Sequence, residues 1–319
     1  MSPRPRRPVH QMVSRTAMAV LGVTALGLTA CGSGDPLSEG GDTGEGAAEG
    51  GDGALVVGSQ QYYSNTIIAE LYAQHLEAGG FEVDRQFDIG QREVYMPELE
   101  AGEIDVFPEY AGNLLEYVEP DSEAAELEAI TADLDEHLPE GLSVLETAEA
   151  TDQDSYVVTA DFAEEHGLTS VADLAEVDED LRIAANSEFE TRPYGPDGLA
   201  EVYGVEVTLV PVEDGGGPLT VQALLDGDVE VADIYSADPA IEANDLVMLE
   251  DPEDLVLPQN IVPVVSEAVD EEAAGLINEI NALLTQEELN DLNAASVDEQ
   301  AAAEDVASQW LEEQGLDDA

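Results

Sequence analysis

The chain has 319 residues, with 73 Asp and Glu against eight Arg and no Lys, a formal net charge of −65. Nucleic acid and anionic lipid surfaces are poor partners for such a molecule. Apolar residues at 44% exclude a wholly disordered acidic chain, and a sole cysteine, Cys31, excludes an intrachain disulfide and any CxxC metal or redox site.

Residues 1–30 read as a signal peptide. Arg4, Arg6, Arg7 and Arg15 precede an uncharged run from Ala17 to Ala30, short for a membrane span and suited to a signal-peptide core. The run ends in Leu28-Thr29-Ala30-Cys31, which resembles the lipobox of bacterial lipoproteins. That resemblance implies a multiply acylated Cys31 as mature N-terminus, since stable anchoring takes more than one acyl chain. Residues 31–53 are rich in Gly, Asp, Glu and Ser and form a flexible acidic tether, too poor in apolar surface to fold. After Cys31, 73 acids meet only Arg85, Arg92, Arg182 and Arg192, a net of −69. At about 1 M salt the Debye length falls to roughly 3 Å and this self-repulsion is screened, so the charge fits a saline exterior.

Folded protein is expected from residue 54. Ala54–Gly58 is a buried strand, and Ser59–Tyr63 a polar, aromatic turn. Ser64 or Asn65 can cap a helix with Ile67, Ile68, Leu71, Tyr72 and Leu76 on its apolar face, stopped by Gly79-Gly80. Phe81–Ile89 reads as a strand, and Gly90–Ala101 as a short helix that Pro97 makes begin late. Leu99–Tyr110, LEAGEIDVFPEY, then has an echo at Leu224–Tyr235, LLDGDVEVADIY. In each, a helix stops at a glycine suited to a left-handed cap, a short strand follows, and a Tyr stands at or past its carboxyl end. Ligands of open α/β sheets bind at that end, so the duplication predicts two α/β lobes offering aromatic side chains to a shared cleft.

Between the copies, Asn113–Val118 and Ser122–His137 are helical and Leu142–Leu145 is a strand. Ala148–Val158 passes from a polar loop into a strand and is the first candidate crossing between lobes. Thr169–Leu174 resembles a capped helix start, Leu181–Ala185 is a strand, and Asn186–Pro193 is a loop. Gly215-Gly216-Gly217 also reads as a loop. Asp245–Glu250 is a further strand, Pro258–Val265 the return crossing, and the chain is helical from Glu271 to an apolar stripe at Trp310 and Leu311. The expected fold class is thus α/β and two-lobed with two hinge crossings. Lobe I takes residues 54–152 plus 260–319, and lobe II takes 153–259.

No HExxH, GxSxG elbow or P-loop is present, and acidic pairs are too many for one carboxylate dyad to stand out. The expectation is a protein that is not an enzyme, with no cofactor and no metal site.

GSQQYYSNTIIAELYAQHLEAGGFEV, GEIDVFPEYAGN, DSYVV, YSADPAIEANDLVMLED and LNAASVDEQAAAEDVASQWLEEQGL, in this order, resemble the substrate-binding proteins of osmoprotectant ABC importers. The resemblance spans nearly all of residues 54–317. It implies a type II periplasmic-binding-protein fold and a quaternary-ammonium ligand such as glycine betaine, choline, carnitine or proline betaine. It also implies delivery to an ABC permease served by a separate ATPase subunit, at the outer face of the cytoplasmic membrane. A trimethylammonium group donates no conventional hydrogen bond, so aromatic faces hold it. Matched motif by motif, the cage tyrosines fall on Tyr110, Tyr156 and Tyr235. A fourth cage aromatic is replaced by Gln259, for which Tyr62 or Phe107 can compensate. Arg192 matches an arginine that grips the ligand carboxylate, and Asn113 stands in place of a hydroxyl residue. Gln60 stands where many relatives carry Lys, and Asp154 matches an acidic cage neighbour. Losing that Lys while keeping Asp154 tilts the expected ligand modestly toward choline-like or weakly anionic compounds. The alternatives are the same fold binding ectoine or an amino acid, a surface lipoprotein with no transport role, and a lipid-anchored hydrolase.

Overall fold

A computed structural model describes residues 53–298 and 300–317. The expected signal peptide, nearly all of the tether and Cys31 lie outside the described residues. Leu55-Val56-Val57 is apolar on both sides, the pattern of a strand covered by helices on either face. It forms β1 (Leu55–Gly58), followed by α1 (Tyr63–Ala78), β2 (Val83–Gln86), α2 (Arg92–Glu100), β3 (Val106–Tyr110), α3 (Ala111–Val118), α4 (Leu127–His137) and β4 (Leu142–Val144). A second run holds β5 (Tyr156–Thr159), α5 (Ala160–His166), β6 (Leu181–Ala185), α6 (Pro196–Gly198) and β7 (Val207–Pro211). It ends with α7 (Pro218–Leu225), β8 (Val231–Asp233), α8 (Ala240–Ala243) and β9 (Leu246–Met248). After β10 (Ile261–Ser266), helices α9 (Glu271–Leu283), α10 (Gln286–Asp298) and α11 (Ala303–Gln314) follow.

The strands build two five-stranded sheets of the same topology, β2-β1-β3-β10-β4 and β7-β6-β8-β5-β9. In each, the first three strands are parallel, and the fourth runs antiparallel to both its neighbours. That fourth strand, β10 or β5, is the first strand of its sheet that the chain enters after leaving the other sheet. The two passages run side by side: Thr151 and Asn260 form an antiparallel bridge, and the Asp152 N–H donates to the Gln259 carbonyl at 3.3 Å.

The duplicated motif has the same backbone in both sheets. Gly102 and Gly227 follow α2 and α7 with φ of +69° and +73°, the left-handed region where a Cβ is costly. β3 and β8 then pair with the parallel strands β1 and β6. Tyr110 is the last residue of β3, and Tyr235 lies two past the end of β8. One core packs α1, α9 and α11 on the first sheet through residues such as Ile67, Leu71, Ile277 and Trp310. A second fills the sheet's other face with Tyr95, Met96, Phe107 and Leu114. The second sheet is likewise covered on both faces, by clusters around Ile183 and Leu199 and around Val221 and Ile234.

Four local expectations change. Helix α1 starts at Tyr63, and neither Ser64 nor Asn65 caps it. Asn65 instead accepts from the Gln60 N–H at 2.8 Å and donates Nδ2 to the Pro108 carbonyl at 2.8 Å, tying the turn after β1 to β3. Helix α2 begins at Arg92, ahead of Pro97. Its first turn closes by a Val94 N–H to Gln91 carbonyl bond of 2.8 Å, so Pro97, on the exposed face, deletes a single later bond. The strand expected over Phe81–Ile89 pairs only at Val83–Gln86, ending before Asp88, whose φ is +57°. Helix α4 starts at Leu127, leaving Ser122–Glu126 as a loop.

Candidate functional site

A cleft lies where the carboxyl ends of β3 and β8 face each other. Tyr62, at the start of α1, Tyr110 and Tyr235 line it. The Tyr62 ring meets Tyr235 edge-on at a centroid distance of 4.6 Å and Tyr63 at 5.2 Å. Burial, with nearby carboxylates, raises the phenols of Tyr62, Tyr110 and Tyr235 well above their ordinary range, so all three present neutral rings. Gly215 and Gly216, with φ of +64° and +72°, carry the backbone to the Tyr62 ring and to the end of β8. A Cβ on Gly216 would stand 3.0 Å from the Asp233 carbonyl oxygen, which gives the glycine run a role that a bare loop reading lacks.

Three aspartates share the cavity with Glu188: Asp152, Asp154 and Asp233. Asp152 accepts from the Tyr62 hydroxyl and, at 3.0 Å, from the Ala237 N–H. Burial pushes its carboxyl up to about 7 against those bonds. Asp154 accepts from Asn113 Nδ2 at 2.8 Å. Asp233 is pushed well up by burial and then by the charge of Asp154 beside it. None of the three makes an ion pair among the described residues. Asp233 Oδ1, Glu188 Oε2 and Gln60 Nε2 are buried in the cavity lining with no hydrogen-bond partner. Buried polar atoms are normally satisfied, so orphans gathered at one cavity point to a ligand or to water.

Two arginines reach the same space. Arg92 is 5% exposed and pairs with the fully buried Glu109 through Nε at 2.7 Å and Nη2 at 2.8 Å. Arg192 reaches α2 of the other lobe, with Nη1 3.0 Å from Glu93 Oε1.

The family described as the substrate-binding domain of ABC-type glycine betaine transport systems matches residues 53–313. The chain belongs to that family. It is therefore an ABC-transporter substrate-binding protein of the two-lobed type II fold, and not an enzyme. Among solved structures, it is similar to a glycine betaine/carnitine/choline ABC transporter protein at 20% identity, over 83% of this chain and 100% of that one, with a TM-score of 0.65. Apo YehZ from Escherichia coli is 26% identical, over 82% and 99% of the two chains, with a TM-score of 0.58. A choline-binding protein in complex with choline is 18% identical, over 82% and 89%, with a TM-score of 0.59.

Of the residues singled out from the sequence of this binding protein, Gln60, Tyr62, Tyr110, Asn113, Asp154, Arg192 and Tyr235 line the cleft, and three do not. Tyr156 is 3% exposed in the core of the second sheet around Ile183 and Leu199, where its hydroxyl donates to the Tyr194 carbonyl at 2.6 Å. It holds up the cleft wall from behind. Tyr194 lies on the wall itself, beside Phe189 at a centroid distance of 5.9 Å. Gln259 is fully buried and clamps Asn113: its Oε1 accepts from the Asn113 N–H at 3.0 Å and its Nε2 donates to Asn113 Oδ1 at 2.9 Å. Phe107 is core, stacked on Tyr95 at 4.0 Å. Besides Tyr194, the sequence reading missed Arg92, Asp152, Asp233 and Glu188 as lining residues. A glutamate inside the fully buried strand VFPEY was the available signal for Arg92, since such a charge demands a cation nearby.

Proposed function

We propose that this protein captures a quaternary-ammonium osmolyte between its lobes and delivers it to an ABC permease driven by a separate ATPase subunit. The observation that carries the reading is one cavity lined jointly by tyrosines from both sheets and by three aspartates that have no cation partner among the described residues. Tyr62, Tyr110, Tyr194 and Tyr235 offer aromatic surface, each ring worth about 0.5–2 kcal/mol to a trimethylammonium group. Asp152 and Asp233, which burial holds toward the neutral form, gain a cation partner with the ligand and then carry negative charge beside Asp154, with Asn113 and Gln60 as polar contacts. Tyr156 and Gln259 support the wall. The lobes, taken as residues 54–152 plus 260–319 and residues 153–259, close about the two side-by-side passages, excluding water so that these groups act at low dielectric. Residues 1–30 act as the signal peptide, Cys31 is acylated, and residues 31–53 tether the binding lobes to the outer face of the cytoplasmic membrane. Replacing Cys31 by Ala is expected to move the protein from the membrane fraction into the medium; retention in the membrane would refute the anchor.

The binding test is a thermal-shift titration in about 2 M salt with glycine betaine, choline, proline betaine, carnitine, ectoine and proline. Ligand at roughly a hundred times its Kd adds about 2.7 kcal/mol of stability. A shift with trimethylammonium compounds that Tyr235→Ala abolishes is the expected result. A shift only with ectoine or proline refutes the aromatic reading and leaves the fold's role in solute binding intact.

A further inference from the structure

The arginine expected to receive a ligand carboxylate, Arg192, is engaged elsewhere. Its Nη1 and Nη2 lie 3.0 and 3.4 Å from the two carboxylate oxygens of Glu93, which belongs to the opposite lobe. Arg92 is placed differently. Its Nε and Nη2 bond Glu109 side-on, and Glu109 is held in turn by the Tyr95 hydroxyl at 2.6 Å and the Tyr110 N–H at 2.9 Å. A side-on pair leaves the end of the guanidinium, Nη1 and the second hydrogen of Nη2, unused. Nη1 makes no hydrogen bond to a described residue, and it is not among the buried atoms closed off from solvent. The side chain lines the cleft, with Gln60, whose Nε2 also lacks an acceptor, on the same cavity. Two residues with unused donor groups therefore line one cavity.

We infer that Arg92, mounted on Glu109, is the residue that receives the anionic end of a zwitterionic osmolyte, while Arg192 clasps the lobes together through Glu93. This rests on the osmolyte reading above and adds a specificity determinant to it. Arg92 supplies the cation that Gln60 does not, and it reverses the tilt toward choline. Glu109 neutralises the guanidinium in the empty protein, so the fork is rigid and already dehydrated when a carboxylate arrives. Arg92→Lys keeps the charge beside Glu109 and removes the fork, which a lysine does not replace at a bidentate site.

The experiment is calorimetric titration of the full-length protein in detergent and about 2 M NaCl, with glycine betaine and choline, for the wild type, Arg92→Lys and Arg192→Gln. Arg92→Lys is expected to weaken glycine betaine by about 10-fold or more and choline by less than about 3-fold. Arg192→Gln is expected to weaken both ligands by the same factor, since it loosens closure and not one end of the ligand. Equal losses for both ligands in Arg92→Lys, or a betaine-selective loss in Arg192→Gln, would overturn the assignment. Should Arg92→Lys fail to fold, a crystal structure of the wild type with glycine betaine decides. A carboxylate within about 3.2 Å of Arg92 supports the proposal, and one on Arg192 overturns it. Wild type that binds choline but no carboxylate-bearing ligand overturns the Arg92 role and leaves the osmolyte reading standing. Wild type that binds proline through Arg92 but no quaternary ammonium does the reverse.

Discussion

Protonation of Asp152 should control ligand affinity. Its carboxyl is pushed up to about 7, first by burial, opposed by hydrogen bonds from Tyr62 and the Ala237 N–H. Tyr62 and Tyr110 both stand beside it, so a cation between those rings needs the carboxylate form. Each pH unit below about 7 then lowers the competent fraction about tenfold, and apparent affinity at pH 5 falls about 100-fold below its plateau above pH 8. The unliganded fold shows the opposite trend. Between about pH 4 and 7 the folded state keeps a proton on Asp152 that the unfolded chain has lost, so the contribution of Asp152 to stability is greatest below pH 4 and declines as pH rises through this window. The shift of about three units sets an upper limit of about 4 kcal/mol on that decline. Calorimetric titration with choline at pH 5, 6, 7 and 8 measures the first effect. Repeating it at pH 6 in buffers of different ionisation enthalpy counts the proton released, which should be about one per ligand. A Kd constant within threefold from pH 5 to 8 would refute the reasoning, as would an unchanged slope in Asp152→Asn.

Three further outcomes follow from the geometry. Gln259→Leu removes both bonds from Gln259 to Asn113, leaving the Asn113 N–H and Oδ1 without partners and only its bond to Asp154; melting should show a loss of about 1–3 kcal/mol, and the affinity of every ligand should fall. Gly216→Ala forces a side chain into φ of +72° with its Cβ 3.0 Å from the Asp233 carbonyl, so destabilisation of about 1–2 kcal/mol is expected, whereas Gly275→Ala, with open space around it in α9, should raise the melting temperature. The melting temperature of the unliganded protein should climb steeply between about 0.1 and 1 M NaCl as the Debye length shrinks from roughly 10 to 3 Å, and a flat profile would contradict self-repulsion as the main electrostatic cost.

The duplicated motif was legible because glycine, a short apolar strand and a terminal Tyr are local signals, and local backbone geometry obeys them at both Gly102 and Gly227. Tyr110 and Tyr235 reach the cleft for that reason. Gln259 and Tyr156 illustrate what local pattern does not carry. Whether a side chain lines a cavity or supports the residue that does depends on one rotation about a strand or crossing, and no period encodes it. Tyr194 lay in a loop of mixed turns, with no strand or helix to set its direction. The start of α2 failed through too strict a reading of Pro97, which costs little where a tightened first turn and an exposed face leave just one bond to lose. Arg92 was hidden for a different cause: its pairing with Glu109 spans 17 residues and joins a helix start to a strand end, a contact that only the tertiary fold creates.

The distribution of cations explains how a molecule this acidic still builds a selective cleft. With no Lys and four Arg after Cys31, each arginine in the folded part is bound to a carboxylate: Arg85 to Glu70 and Glu77, Arg92 to Glu109, Arg182 to Glu230 and Arg192 to Glu93. Arg85 ties the edge strand β2 to α1, and Arg182 ties β6 to the approach of β8 within the second sheet. The other two stand at the cleft, so half of the folded part's arginines are at its binding surface. Because Glu109 and Glu93 already neutralise them, neither cancels the field of Asp152, Asp154 and Asp233 on the aromatic side. A site in which cations and anions were free to pair with one another would collapse into internal salt bridges. Here each arginine is committed to its own glutamate, so the three aspartates are left without a cation partner among the described residues, and an incoming cation would draw Asp152 and Asp233 from the neutral form that burial favours toward the carboxylate.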